Sequence, residues 1–267
     1  MVDPATVKPT TAGASAASAG TKPTTKPATA GGNARLEALA KTLEFKWFVS
    51  HAFVVLNTIG TLVFFRFPKL ANFTYRVGFL AAFASFAVIL YQTYGRSKPT
   101  AAVLIRDDNF QYVVATLFWL VTPRHVLALL PLSIFSLFHV LTFTRSYLLP
   151  AVGHPADSPL IKKIDALVKN YNEPLTVLAA NFELALAVQL LVLSFTFRKG
   201  SWLQLVFYVL FFRIRYATSA YTRHAVKAWE VRVDQLLGHP SLPPKAKQVW
   251  ADVKTQLAKI PGPANKA

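Results

Sequence analysis

The sequence predicts an all-α polytopic membrane protein with about four transmembrane helices plus interfacial amphipathic helices. Apolar residues make up 53% of the 267 residues and charged residues only 15%, although the formal net charge is +17. The apolar residues form long blocks, and most Lys and Arg residues lie between or beyond them, which is the pattern of helices surrounded by lipid. A nucleic-acid binder of this charge would instead cover one compact core with its basic residues. We therefore expect no direct nucleic-acid partner.

Three of the predicted spans are clear in the sequence. Residues 47–65 comprise nineteen positions without a formal charge, which is about 28 Å of helix and enough to cross the hydrocarbon core. Residues 77–94 form the next span and are rich in small residues that allow close helix packing. Residues 175–197 form the last span, in which Pro174 stands at a helix-initiating position.

The third apolar block allows two interpretations. Residues 110–143 would form about 51 Å of helix, which is longer than a bilayer is thick. Pro123 and Pro131 interrupt the block, and Arg124 places a charge inside it. One interpretation is an interfacial helix at 110–122 followed by a span at 124–143. The other is a tight helical hairpin that turns at 122–125 and returns to the same side. The shortness of 110–122 favours the first interpretation.

A further apolar segment, residues 201–212, is too short to cross alone, because twelve residues reach only about 18 Å. Arg213 and Arg215 follow it directly. We expect both arginines to be interface anchors at the lipid headgroups. The segment is therefore predicted to be a re-entrant or interfacial helix at the end of a membrane domain covering residues 35–212.

The distribution of Lys and Arg predicts the orientation. With four crossings, 21 basic residues lie on one side and seven on the other, so both termini should be cytosolic. A hairpin at 110–143 would move residues 144–174 to the cytosol as well.

The two ends of the chain differ in character. Residues 1–34 contain no aromatic residue and are rich in Ala, Thr, Pro and Gly, so we expect a disordered tail. Residues 213–261 are predicted to form a basic cytosolic region of amphipathic helices.

The sharpest of these amphipathic helices is residues 245–260. Its apolar stripe consists of Val249, Trp250, Val253, Leu257 and Ile260. Its basic rim consists of Lys245, Lys247, Lys254 and Lys259. An apolar stripe beside lysines is typical of a helix on an anionic membrane surface. The alternative is a helix packed on residues 221–237.

The intramembrane polar residues are Glu183, His139 and Arg124. An ionisable group such as Glu183 within a span is a candidate site for a proton or ion pathway. The alternative is a protonated or hydrogen-bonded Glu183 that holds helices together, against Arg124 or His139. Single polar groups without repeated halves or broken helices favour packing.

The sequence contains no recognisable catalytic or cofactor motif. It has no cysteine, no HExxH, GxSxG or P-loop motif, and no metal-site spacing among its six histidines. We therefore expect no catalytic residue, no metal site and no cofactor, and the protein is predicted not to be an enzyme.

Two long segments carry a resemblance to a known family. Residues 131–144 read PLSIFSLFHVLTFT, and residues 212–243 read FRIRYATSAYTRHAVKAWEVRVDQLLGHPSLP. The chain resembles, over about residues 40–260, the pore-membrane transmembrane nucleoporins of fungi and their animal multi-pass relatives. The resemblance implies a location in the endoplasmic reticulum and nuclear envelope, and a role in nuclear pore complex assembly or distribution and in shaping membrane. It also implies a C-terminal amphipathic helix that favours curved membrane, and nucleoporins, reticulum-shaping proteins and a karyopherin import receptor as partners.

Three functional hypotheses follow. The first is a membrane-organising protein whose interfacial helices act on curved, anionic bilayers. The second is a small channel or transporter that uses Glu183. The third is a membrane-anchored adaptor whose basic end recruits an import receptor.

Overall fold

The computed structural model describes residues 32–198, 200–238 and 243–260, and within these ranges the regular structure is helical. The helices are α1 (Gly32–Ala40), α2 (Leu43–Val63), α3 (Pro68–Tyr94), α4 (Ala101–Arg106), α5 (Asp108–Val121), α6 (Val126–Phe143), α7 (Leu149–Ala151), α8 (Pro159–Phe195), α9 (Ser201–Thr218), α10 (Ala220–Leu237) and α11 (Pro244–Ala258). A π-helical turn, Thr144–Leu148, joins α6 to α7.

Four helical segments in the described ranges are long and apolar enough to cross a membrane. They are α2, α3, the continuous segment Val126–Ala151, and α8. The predicted fold class, an all-α polytopic membrane protein with about four spans, is confirmed. The expected disordered tail lies outside the described residues up to residue 31. Residues 32–34 belong to α1.

Local sequence signals explain where several helices begin. Thr42 caps α2, and its hydroxyl accepts a hydrogen bond from the Phe45 amide at 3.1 Å. Asp107 caps α5, and its carboxylate accepts the Asn109 amide at 2.8 Å. These side chains satisfy backbone donors that have no partner inside the helix. Pro68 opens α3 in the first turn, where a missing amide hydrogen costs nothing.

Two prolines lie inside helices, although Pro131 was expected to interrupt an apolar block and Pro174 to initiate the last span. Pro174 falls within α8, which runs for 37 residues, and Pro131 falls within α6. A proline removes one backbone hydrogen bond, and the packed surroundings of a membrane helix tolerate that loss. The chain breaks instead before Pro123, because the residue preceding a proline is driven out of helical geometry. Thr122 is accordingly extended, with ψ 169°.

The chain divides into two compact units, Met1–Ala179 and Ala180–Ala267. In the first unit, α2 and α3 form an antiparallel hairpin. The hydroxyls of Thr61 and Thr74 are 3.0 Å apart across its closed end. Gly60 permits this approach, since a Cβ there would lie 3.1 Å from Cγ2 of Thr74.

Helix α5 runs antiparallel to α3. The Tyr94 hydroxyl, at the end of α3, donates to the Asp107 carboxylate, just before α5, at 3.0 Å. At the other end of α5, the Arg76 guanidinium donates to the Trp119 carbonyl at 3.0 Å. Arg76 lies near the beginning of α3 and Tyr94 lies at its end. The two ends of α5 therefore contact opposite ends of α3.

Helix α6 returns antiparallel to α2. The contacting pairs are His51 with Ser136 (Nδ1 to Oγ, 2.9 Å), Trp47 with His139 (ring centroids, 4.8 Å) and Phe45 with Phe143 (ring centroids, 6.3 Å). The residue numbers fall along α2 as they rise along α6, so α6 ends beside the start of α2. Helices α5 and α6 therefore run antiparallel to each other and are joined by a turn at 122–125.

Candidate functional site

The candidate site is the C-terminal helix α11 in the second unit. Pro244 opens it in the first turn, and it continues to Ala258, close to the expected 245–260. Lys245, Lys247 and Lys259 are exposed, and Lys254 is half-buried. The basic character expected for this helix therefore lies on its accessible surface.

The predicted apolar stripe is divided between two environments. Val249 is 56% exposed and Val253 41% exposed. Trp250, Leu257 and Ile260 are half-buried. The edge with Val249 and Val253 is thus available at the surface, and the edge with Trp250 and Leu257 is partly covered. Ile260 lies beyond the last helical residue, Ala258.

A carboxylate on α10 contacts the covered edge. The Trp250 indole Nε1–H donates to Asp234 Oδ1 at 2.7 Å, and the Lys254 ammonium lies 2.8 and 3.1 Å from the two carboxylate oxygens. The Lys254 ammonium also lies 5.9 Å from the centre of the Trp250 ring. Hydrogen bonds from Lys254 and Trp250 lower the pKa of Asp234 below its ordinary value. This polar contact joins α11 to α10.

The alternative of apolar packing between these two helices is met only in part. Val226 of α10 is buried, but Trp229 is 38% exposed and Leu236 70% exposed. Val233 and Leu237, on the same expected face of α10, are half-buried, so Leu236 is the largely accessible member.

The two expected interface anchors have opposite environments. Arg213 is exposed, as an anchor would be. Arg215 is buried, with 3% of its surface exposed, and its Nε lies 3.7 Å from Glu183 Oε2. The expectation for Arg215 is therefore corrected. Residues two apart on a helix are separated by about 200° around its axis, so the two arginines face opposite sides.

Glu183 has a different charged neighbour from those expected. It was expected to face Arg124 or His139, and the structure instead brings Arg215 beside it. The Tyr208 hydroxyl also donates to the Glu183 carbonyl at 2.8 Å. Glu183 is thus a buried member of an ion pair between α8 and α9 in the second unit.

His139 and Arg124 belong to the first unit. His139 is buried, and its ring lies 4.8 Å from Trp47 and 4.6 Å from His51. Arg124 is half-buried in the 122–125 turn. In the described residues, no three His, Asp or Glu side chains are grouped as metal ligands would be.

The segment from 26 to 261 matches the family described as Transmembrane protein 33/Nucleoporin POM33. The chain belongs to this family. The match begins ahead of residue 40, where the resemblance was expected to start, and reaches the end of the basic region.

Curated relatives of this transmembrane protein 33/nucleoporin POM33 family cover most of the chain. Nucleoporin POM33 of Chaetomium thermophilum is 33% identical over 248 residues, covering 83% of this chain and 86% of the relative. Pore membrane protein of 33 kDa of Saccharomyces cerevisiae is 32% identical over 245 residues, covering 85% and 86%. Tetra-spanning protein 1 of Schizosaccharomyces pombe is 29% identical over 243 residues, covering 85% and 87%. No solved structure matches the chain.

In this family member, hydrogen bonds from α3 stabilise the 122–125 turn, which was not predicted from the sequence. The Arg76 guanidinium donates to the carbonyls of Trp119 and Leu120 at the end of α5. The His125 amide donates to the Tyr75 hydroxyl at 3.3 Å. Carbonyls at a helix end need such partners. A basic residue inside an apolar helix, as Arg76 is in α3, was the signal available in the sequence.

Proposed function

We propose that this family member is a non-enzymatic integral membrane protein of the endoplasmic reticulum and nuclear envelope that supports nuclear pore complex assembly or distribution. Family membership is the observation that supports it most directly. The matched relatives include a nucleoporin, a pore membrane protein and, at 26% identity, the pore and endoplasmic reticulum protein of 33 kDa of Saccharomyces cerevisiae. Nucleoporins and reticulum-shaping proteins are the protein partners that this role implies.

The proposed means of action is the binding of α11 to the cytosolic leaflet. The exposed valines Val249 and Val253 supply apolar area beside exposed lysines. A helix of this kind enters the boundary between headgroups and acyl chains, and anionic lipids attract its positive charges. Its insertion would act as a wedge in one leaflet and would favour curved membrane such as that at a pore.

The arrangement of the first unit supports a common side of the membrane for the residues before α2 and for the segment after α6. Helix α6 ends beside the start of α2, and α1 contacts α7. Arg145, in the turn after α6, pairs with Asp165 near the start of α8. We propose that α5 and α6 form a re-entrant hairpin entering from the cytosol. The positive-inside rule, together with the basic residues from 213 onward, supports a cytosolic C-terminus. With a re-entrant hairpin this requires α8 and α9 both to cross, and the 18 residues of α9 reach about 27 Å.

The membrane-surface role can be tested on the full chain, which contains no natural cysteine. A spin label at Val253→Cys, in protein reconstituted into small vesicles rich in phosphatidylserine, should be accessible to oxygen and shielded from a water-soluble nickel chelate. Thr255→Cys is the matched control, because residue 255 lies about 200° from residue 253 around the helix and is exposed. Equal nickel accessibility at both positions would rule out insertion of this face.

The pore role is tested in cells. Replacing Val249 and Val253 together by Asp should leave the chain in the reticulum membrane, since the membrane domain is intact, and should alter the distribution of pore complexes at the nuclear rim. A normal distribution in cells lacking the whole chain would contradict a pore role altogether.

The adaptor function remains a second candidate because the basic residues of α11 are accessible. Capture of a karyopherin import receptor by the basic region without lipid would support it. The channel hypothesis is less well supported, because Arg215 offsets the charge of the buried Glu183. A flux that Glu183→Gln abolishes would be needed to restore it.

A further inference from the structure

Asp234 contacts Trp250 and Lys254 of α11, two residue types that favour a membrane surface. Trp250 is the aromatic member of the apolar stripe, and Lys254 is a member of its basic rim. Both donate to the same carboxylate, at 2.7 Å for the indole and 2.8 Å for the ammonium. Trp side chains favour the membrane interface, and lysines are attracted to anionic headgroups. In this arrangement both groups are engaged within the protein.

The contact limits how much of the stripe can reach lipid at one time. At about 100° per residue, Val249 and Val253 lie on one side of the stripe, and Trp250 lies toward Lys254. The exposures agree, since the two valines are 56% and 41% exposed while Trp250 is half-buried. Burying the whole stripe in a leaflet requires α11 to turn or move so that Trp250 leaves Asp234.

We propose that Asp234 restrains α11 against α10 and that an anionic membrane surface releases the helix by competing for Trp250 and Lys254. The inference rests on the proposed membrane-surface function of α11. The competition is finely balanced, because ion pairs between exposed groups are weak and both side chains are partly exposed, at 39% for Lys254 and 48% for Asp234. A few-fold change in anionic lipid is therefore sufficient to shift the helix between the two positions.

The restraint predicts that removing the carboxylate strengthens membrane binding. The full chain labelled at Val253→Cys is reconstituted into vesicles with increasing phosphatidylserine, and the midpoint for immersion of the label is measured. Asp234→Ala should move the midpoint to about threefold less phosphatidylserine, because Trp250 and Lys254 no longer have a competing partner.

The matched control is Asp252→Ala. Asp252 is an exposed carboxylate on α11 itself, so its loss changes the net charge equally and leaves the Asp234 contact in place. A midpoint that shifts as much for Asp252→Ala as for Asp234→Ala would overturn the restraint and leave only a general charge effect.

The remaining outcomes separate the restraint from the proposed function. An immersed label in the unmodified background with an unchanged or raised midpoint in Asp234→Ala overturns the restraint alone. A raised midpoint would mean that Asp234 positions the helix for binding. A label at residue 253 that stays in water in every variant overturns both the membrane-surface function and the restraint.

Discussion

The environments of Arg213 and Arg215 depend on which face of α9 each residue occupies. Gln204, Tyr208, Phe211 and Arg215 recur at helical spacing along α9, and all four are buried. Arg213 falls outside this face and is exposed. An arginine that follows an apolar segment can therefore be an interface anchor only if it lies on the exposed face of its helix.

The first prediction concerns this buried ion pair. Arg215→Ala should lower the free energy of unfolding of the full chain in detergent by about 3 kcal/mol, because it leaves the Glu183 carboxylate buried without its charged neighbour. Arg215 and Glu183 are each only 4% exposed in their side chains, so water does not replace the lost partner. Thermal unfolding measures the change.

Two further variants complete this test. Arg213→Ala is the matched control and should change stability by less than about 0.5 kcal/mol, since surface substitutions away from specific contacts have small effects. Glu183→Gln combined with Arg215→Met should recover most of the loss, because neither charge is then buried alone. Equal losses for Arg213→Ala and Arg215→Ala would contradict a stabilising pair.

The turn of the α5–α6 hairpin is stabilised by residues that are distant in sequence. The turn lies beside Tyr75, which is about 10 Å along α3 from Pro68. The backbone groups of such a turn need internal partners within a membrane. Arg76 supplies donors to the Trp119 and Leu120 carbonyls, and Tyr75 accepts from His125. These contacts explain how a polar turn is accommodated among apolar helices.

The contact between α10 and α11 leads to a pH prediction. Lys254 and Trp250 lower the pKa of Asp234 below its ordinary value of about 3.8. A depressed folded-state pKa means that the contact is fully present above this ordinary value and is lost as the pH falls through the lower, folded-state pKa. In detergent without anionic lipid, the mobility of a spin label at Val253→Cys should therefore stay constant from about pH 8 to about pH 5 and rise in strong acid.

Asp234→Ala provides the comparison for this titration. Its label should be mobile at neutral pH and should show no further rise in acid, because the titrating carboxylate is absent. A change in mobility between about pH 5 and about pH 8 in the unmodified background would show that another group controls the contact.

The membrane topology of the chain predicts which loops share a side of the membrane. If α5 and α6 form a re-entrant hairpin, a cysteine at Ala156 should react with a membrane-impermeant maleimide in sealed microsomes, as a cysteine at Ala101 should. A cysteine at Lys69, in the first turn of α3, should react only after permeabilisation. All three positions are exposed.

The alternative topology gives the opposite result at one position. If residues 124–143 cross once after an interfacial helix, Ala156→Cys should be protected together with Lys69→Cys. The absence of natural cysteines makes each single label unambiguous. Protection at Ala156 would remove the hairpin and return residues 144–158 to the lumenal side.

The membrane class, the four long apolar helices and a basic helix near the C-terminus could all be predicted from the sequence. These properties depend on the composition and periodicity of a single segment. The length of a segment relative to the bilayer indicates whether it can cross, and its periodicity indicates which face is apolar. The basic rim of α11 and the caps at Thr42 and Asp107 are local in the same sense.

Which side chains meet depends on tertiary packing and could not be predicted from the sequence. This packing paired Glu183 with Arg215, set Asp234 against Trp250 and Lys254, and brought the end of α6 back to the start of α2. Each of these contacts joins residues separated by at least 16 positions. Such pairings are selected by the packing of whole helices, and helical periodicity defines which face a residue occupies but not which neighbour that face will contact.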